Sequence, residues 1–221
     1  MTDLMIDFFD LLNKNCCYLV LRNWDNLLDD SIYGKGHEDI DILCDSLESF
    51  IKLTKANRVH KENKRDNYIV TFGNSVIRID ARWVGDGYYP IEMEKRLLAD
   101  RRVNKQNIFI PNEEGYYYSL LYHALVQKRE LSDEYSFKLN DVRKKILNTS
   151  INGCYDDFLN DLGAYLRANG LAVEYPRDPG VVINEKVIKS LPVNKRFLRA
   201  LLRDLFVLKQ RVLYYYKRVL N

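Results

Sequence analysis

The chain has 221 residues, 47% hydrophobic and 29% charged, a balance that excludes disorder, collagen-like repeats and low-complexity function. Its length fits one large domain, or a catalytic domain with a helical appendage, and not two full enzymatic domains. The net charge of +3 hides an asymmetry: residues 195–221 carry eight Lys/Arg against Asp204 alone, +7, which leaves −4 for residues 1–194.

Apolar residues Leu4, Met5, Phe8, Phe9, Leu11 and Leu12 recur at helical spacing, with Thr2 or Asp3 as N-cap, and predict a helix over 3–14. The apolar run 16–21 reads as a buried strand. After a polar loop containing Trp24 and Gly34-Lys35-Gly36, Ile40, Ile42 and Cys44 alternate with Asp39, Asp41 and Leu43, the period of a strand. Ser46 caps a helix running to about Lys55. Residues 68–72 and 76–84, flanking Gly73-Asn74-Ser75, form a hairpin. Past Pro90 the pattern turns helical over 116–128, 133–147, 155–169 and 194–220, interrupted by a Gly/Pro-rich stretch at 175–180. The expected fold class is α+β, a mixed sheet with flanking helices followed by a helical C-terminal half. The boundary falls near Pro111, giving units 1–111 and 112–221.

The chemistry concentrates in Gly36-His37-Glu38-Asp39-Ile40-Asp41. Side chains alternate along a strand, so Asp39 and Asp41 project from one face. Paired carboxylates repel unless a cation lies between them, and hard oxygen ligands suit Mg²⁺ or Mn²⁺. In Val76-Ile77-Arg78-Ile79-Asp80 the alternation buries either Val76 or Ile77 and Ile79, and Asp80 supplies a third carboxylate if this strand lies beside the first. Three such acids let metal ions bind a phosphorylated donor and activate an attacking oxygen. The alternative is a solvated acidic strand edge. A glycosyltransferase DXD site is disfavoured, because 38 residues cannot supply a preceding nucleotide-binding βαβ half.

With these residues in view, the chain resembles the nucleotidyltransferase superfamily of DNA polymerase β-like fold, in which an Asp-x-Asp strand is followed by a later Asp. Asp39, Asp41 and Asp80 match that set. The stretches Tyr18-Leu19-Val20-Leu21-Arg22-Asn23 and Gly36-His37-Glu38-Asp39-Ile40-Asp41-Ile42-Leu43, with the helix over 117–128, resemble a branch found in bacterial surface-polysaccharide and capsule gene clusters. The resemblance covers roughly residues 4–130. The Asp-Ile-Asp-Ile strand is also similar to the phosphocholine transferases of the superfamily. The family's Gly-Ser turn is absent, and Leu21-Arg22-Asn23 stands in its place.

The resemblance implies a Mg²⁺- or Mn²⁺-dependent transferase that moves a nucleotidyl or phosphorylated substituent from a nucleotide or nucleotide-activated donor to a glycan or glycolipid acceptor. Asp39, Asp41 and Asp80 would be metal ligands and catalytic groups, Asp80 as ligand or base. Arg22, Lys35, His37, Arg78 and Arg82 would bind substrate phosphate. Two other readings stand: a non-catalytic ligand- or partner-binding domain, favoured by the missing turn, and a toxin-like enzyme acting on tRNA or protein.

Several residues carry a structural reading as well. Arg78 and Arg82 share the face of Asp80 and either bind phosphate or pair with the acids. His37 is a phosphate contact, a base or a loop residue; His123 reads as a packed histidine and Lys128 as solvated. Gly34-Lys35-Gly36 lacks Walker spacing.

Four cysteines, Cys16, Cys17, Cys44 and Cys154, show no disulfide or C-x-x-C pattern. The N-terminus is acidic where a signal peptide is basic, and no apolar run reaches 18 residues. A cytoplasmic setting is expected. The segment 195–220 is an amphipathic basic helix that packs on its own domain, forms a homodimer, or lies on the anionic inner face of the membrane. Nucleic acid is not an expected partner, since no recognition motif accompanies the charge.

Overall fold

The structure, a computed structural model, describes residues 2–25, 27, 39–60, 66–72, 75–178, 180–194 and positions 201, 205, 208 and 209. The predicted helix over 194–220, the turn at Gly73-Asn74, and Lys35 and His37 fall outside or almost wholly outside these residues. Among the described residues the fold is mixed α+β, with seven helices and a five-stranded mixed sheet.

Helix α1 (Thr2–Asn15) leads into β1 (Tyr18–Val20), and β2 (Asp39–Cys44) returns antiparallel to it. The predicted strand over 16–21 is shorter because Cys16 N still bonds Leu12 O of the helix. Helix α2 (Leu47–Thr54) starts at Ser46, whose side chain accepts from Ser49 N, and ends at Lys55 with φ 54°. Then come β3 (Asn57–His60), β4 (Asp66–Phe72) and β5 (Ser75–Trp83). The sheet order is β1-β2-β5-β4-β3, and β2–β5 is its one parallel pairing among the described strands.

One face of this sheet is apolar. Tyr18, Val20, Ile40, Ile42, Cys44, Ile77, Ile79 and Ala81 are buried against Met5, Phe8, Phe9 and Leu12, one stripe of α1, and Phe50 of α2. Val76 is 57% exposed, so the alternation in β5 resolves in favour of Ile77 and Ile79. Each such buried side chain contributes about 1.5–3 kcal/mol.

The opposite face carries Leu19, Leu21 and Leu43 beside the acids, and the described helices that follow β5 pack on it. Helix α3 (Ile91–Ala99) follows Pro90, and a two-stranded ribbon, β6 (Arg102–Val103) with β7 (Phe109–Ile110), precedes α4 (Glu113–Val126). Helix α4 begins earlier than its apolar pattern predicts because the Asn112 side chain caps it, accepting from Gly115 N at 2.7 Å. Every residue of α4 from Ser119 to Val126 is buried, the mark of a central helix with no solvent face. Helices α5 (Asp133–Ile146), α6 (Tyr155–Ala168) and α7 (Glu185–Ile188) surround it, and Leu139, Phe158, Leu162, Leu166 and Val187 join the same core. No helix among the described residues is long and apolar enough to cross a membrane.

Candidate functional site

Parallel pairing of β2 with β5 sets Asp39 opposite Arg78, Asp41 opposite Asp80, and Leu43 opposite Arg82. Paired residues share a face, so all six side chains leave the sheet on the side away from α1. Asp80 is 5% exposed and Arg82 2%, whereas Arg78 is exposed. The acidic strand is therefore no solvated edge.

Each of the three acids is met by a partner from a different part of the chain. Arg22 lies two residues past the end of β1, and Asn23, with φ 58°, turns the chain away behind it. Arg22 Nη2 donates to Asp41 Oδ1 at 2.8 Å and to Tyr88 Oη at 3.1 Å. Asn67 Nδ2 of β4 donates to Asp39 Oδ2 at 2.9 Å. Arg82 Nη2 lies 2.7 Å from Asp80 Oδ1, Arg82 Nη1 lies 3.3 Å from Asp178 Oδ2, and the guanidinium rests 4.5 Å above the Tyr88 ring. Of the two arginines flanking Asp80, Arg82 thus pairs with the acids.

Hydrogen bonding here is incomplete. Arg82 Nη2 and Asp80 Oδ1 form an ion pair that is not a hydrogen bond. Asp80 Oδ1, Arg82 Nε, Arg82 Nη2 and Asn67 Oδ1 have no hydrogen-bond partner, four of the seven such buried atoms among the described residues. Buried polar groups are nearly always satisfied, so a cluster of exceptions is a candidate position for water, an ion or a ligand.

Buried acids also outnumber buried cations. Among the described residues Asp80, Asp86, Glu94, Glu174 and Asp178 are buried, against Arg22 and Arg82 as the buried Lys or Arg side chains. Burial raises the Asp41 pKa, and the neighbouring Asp80 adds to this, while Arg22 and Arg82 oppose it. Burial also raises Asp86 and, with Asp86 beside it, pushes Glu94 up to about 9. Glu94 accepts from Gly85 N at 2.6 Å and Tyr89 N at 3.0 Å, and so holds the turn after β5.

The donor set fits a hard divalent cation. Asp41 and Asp80 offer carboxylate oxygens from opposed register positions, and the unpartnered Asn67 Oδ1 is a further hard donor. Among the described residues no group of three or more His, Cys, Asp or Glu is placed to hold a metal ion. Mg²⁺ does not need one, because it is usually held by one or two carboxylates, with water and substrate phosphate completing the shell.

Tyr88, Asn67, Gln127 and Asp178 complete this face and carry no motif in the sequence. One local signal marks Tyr88: Gly85 and Gly87, at φ 89° and 80°, form a tight turn that returns the chain under Arg82. His123 is a buried residue of α4, as its packed reading expects, and it reaches the site through Tyr88. Compared with known proteins, the chain matches no family model, no curated protein and no solved structure.

Proposed function

We propose that the chain is a divalent-metal-dependent transferase of nucleotidyl or phosphorylated substituent groups, with a nucleotidyltransferase-like sheet. The reading rests on one observation: Asp41 and Asp80 face each other across a parallel strand pair, on a buried face where Asp80 Oδ1 and Asn67 Oδ1 lack a hydrogen bond and two guanidiniums lie beside the acids. The later acid, Asp80, lies on the strand parallel to the Asp-x-Asp strand, which supports that reading. The bacterial surface-glycan setting, with a nucleotide-activated donor and a glycan or glycolipid acceptor, comes from the resemblance of residues 18–43.

Asp41 and Asp80, with Asp39 beside them, would hold the cation, which when bound would supply charge to offset phosphoryl oxygens and to acidify an acceptor hydroxyl. The chain's own groups bind and orient. Arg22 Nη2 bonds Asp41 and Tyr88, and the rest of the planar guanidinium, which also meets Tyr89, is the cation closest to Asp41 that donor phosphate would meet. This gives Arg22 the task of the missing Gly-Ser turn. Arg82, fixed by Asp80 and Asp178, keeps positive charge beside the site without leaving it. Mn²⁺ or Mg²⁺ titrated calorimetrically with a nucleoside diphosphate or triphosphate should bind, and Asp80→Asn should abolish it; equal binding by both proteins overturns the assignment.

The ion pairs Arg22–Asp41 and Arg82–Asp80 favour a second reading, a domain that binds a phosphorylated ligand or partner without turnover. Mass spectrometry of a donor and acceptor screen separates the two: transfer products belong to the first reading, and tight binding without product to the second.

A further inference from the structure

A polar chain runs from the acidic face into the helical core. Tyr88 Oη, which accepts from Arg22, lies 3.1 Å from His123 Nδ1; that nitrogen is 2.9 Å from Gln127 Oε1, and His123 Nε2 is 3.0 Å from Tyr135 Oη. The hydrogens in this chain are determined by its ends. Gln127 Nε2 donates to the Tyr88 backbone carbonyl, so the amide cannot be turned over without setting two oxygens against each other. Gln127 Oε1 therefore faces His123 and only accepts, which requires a proton on Nδ1 whether the ring is neutral or charged. Tyr88 then cannot give its hydrogen to His123. Its hydroxyl accepts from Arg22 and shares the one Nδ1–H of His123 with Gln127 Oε1, so its own hydrogen leaves in another direction.

Burial raises the Tyr88 pKa against the opposing effects of Arg22 and Arg82, so the phenol stays protonated at neutral pH. Arg22 Nη2 bridges Tyr88 Oη and Asp41 Oδ1, at 3.1 and 2.8 Å, so the hydroxyl lies beside the Asp41 carboxylate, whose side chain keeps 16% exposure.

We infer that Tyr88 is a further ligand-binding residue, whose hydroxyl hydrogen points to the Asp41–Asp80 face and donates to a phosphoryl oxygen, and that Gln127 and His123 are the positioning residues that fix this direction. The assignment rests on the phosphate-transfer reading above. It adds a neutral donor to a site otherwise built of charges, from a part of the chain 47 residues beyond Asp41 in the sequence.

The test combines affinity with a tautomer measurement. Tyr88→Phe removes one oxygen and keeps the ring under Arg82; its affinity for inorganic pyrophosphate with Mg²⁺ should fall about tenfold, or about 1.4 kcal/mol. Nitrogen-15 NMR of the wild type, with only three histidines to assign, should find His123 protonated on Nδ1. Gln127→Met should release that preference and weaken pyrophosphate binding in the same direction. Wild-type binding that Tyr88→Phe leaves unchanged overturns the donor role while the phosphate reading stands. An unprotonated Nδ1 overturns the positioning role whatever the affinities. A wild type that binds no pyrophosphate overturns the phosphate reading and the Tyr88 assignment with it.

Discussion

Arg22 Nη2 stands 2.8 Å from Asp41 Oδ1, on the carboxylate that faces Asp80 across the parallel strand pair. A guanidinium and a divalent cation placed there draw on the same negative charge. They compete when no phosphate is present and cooperate when one is, because phosphate brings the charge that lets both remain. Arg22→Gln should therefore raise the affinity for Mn²⁺ alone, by about tenfold for the loss of one charge contact near 1.4 kcal/mol, and lower the affinity for a Mg²⁺–triphosphate. Opposite signs in the two calorimetric titrations are the expected result; a fall in both means that Arg22 only holds the fold.

The same pair reverses an expectation for Asp41→Asn. In the sequence, removing one of two neighbouring acids relieves repulsion and should be neutral or stabilising. In the structure it leaves the buried Arg22 without its counter-ion, and such a loss costs about 3 kcal/mol. Chemical denaturation should find Asp41→Asn destabilised, and the double variant Arg22→Gln/Asp41→Asn less destabilised than the sum of the single ones.

Glu94 gives the molecule a pH dependence. Its folded-state pKa, up to about 9, lies above its ordinary 4.5, so between these values the folded state holds a proton that the unfolded state releases. Stability is fully present below the ordinary glutamate pKa and is lost as pH rises toward 9, with a slope of at most about 1.4 kcal/mol per pH unit. The melting temperature should fall across that range, and fall less steeply in Glu94→Gln. Parallel profiles would mean that the carboxyl is not protonated in the folded protein.

Gly115 lies in the first turn of α4, where an added Cβ would come 2.9 Å from Leu97 Cδ2 and 3.0 Å from the Asn112 Oδ1 that caps the helix. Alanine gains up to about 1 kcal/mol of helix propensity, but overpacking costs about 1–3 kcal/mol and the cap is disturbed as well. Gly115→Ala should be destabilising by about 1 kcal/mol or more in denaturant titration.

What the sequence determined by itself is local. Alternation in 39–44 assigned the acids to one face and Ile40, Ile42 and Cys44 to the other, Ser46 marked a helix start, and apolar spacing located α1, α5 and α6. Each depends on residues within a turn or a strand of one another. Strand β3, Asn-Arg-Val-His, has no alternation to betray it, and α3 was hidden because Glu94, on its buried side, breaks the apolar stripe. The tertiary structure decided the rest: that Asp41 meets Asp80, that Arg22 and Arg82 neutralise them, and that Asp178 and the Tyr88–His123 pair close over that face. These contacts join residues from 19 to 96 positions apart, except for Arg82 and Asp80 on one strand. Their cause is the need to bury charged groups only with partners, a condition that the folded chain meets across distant elements and that no local pattern records.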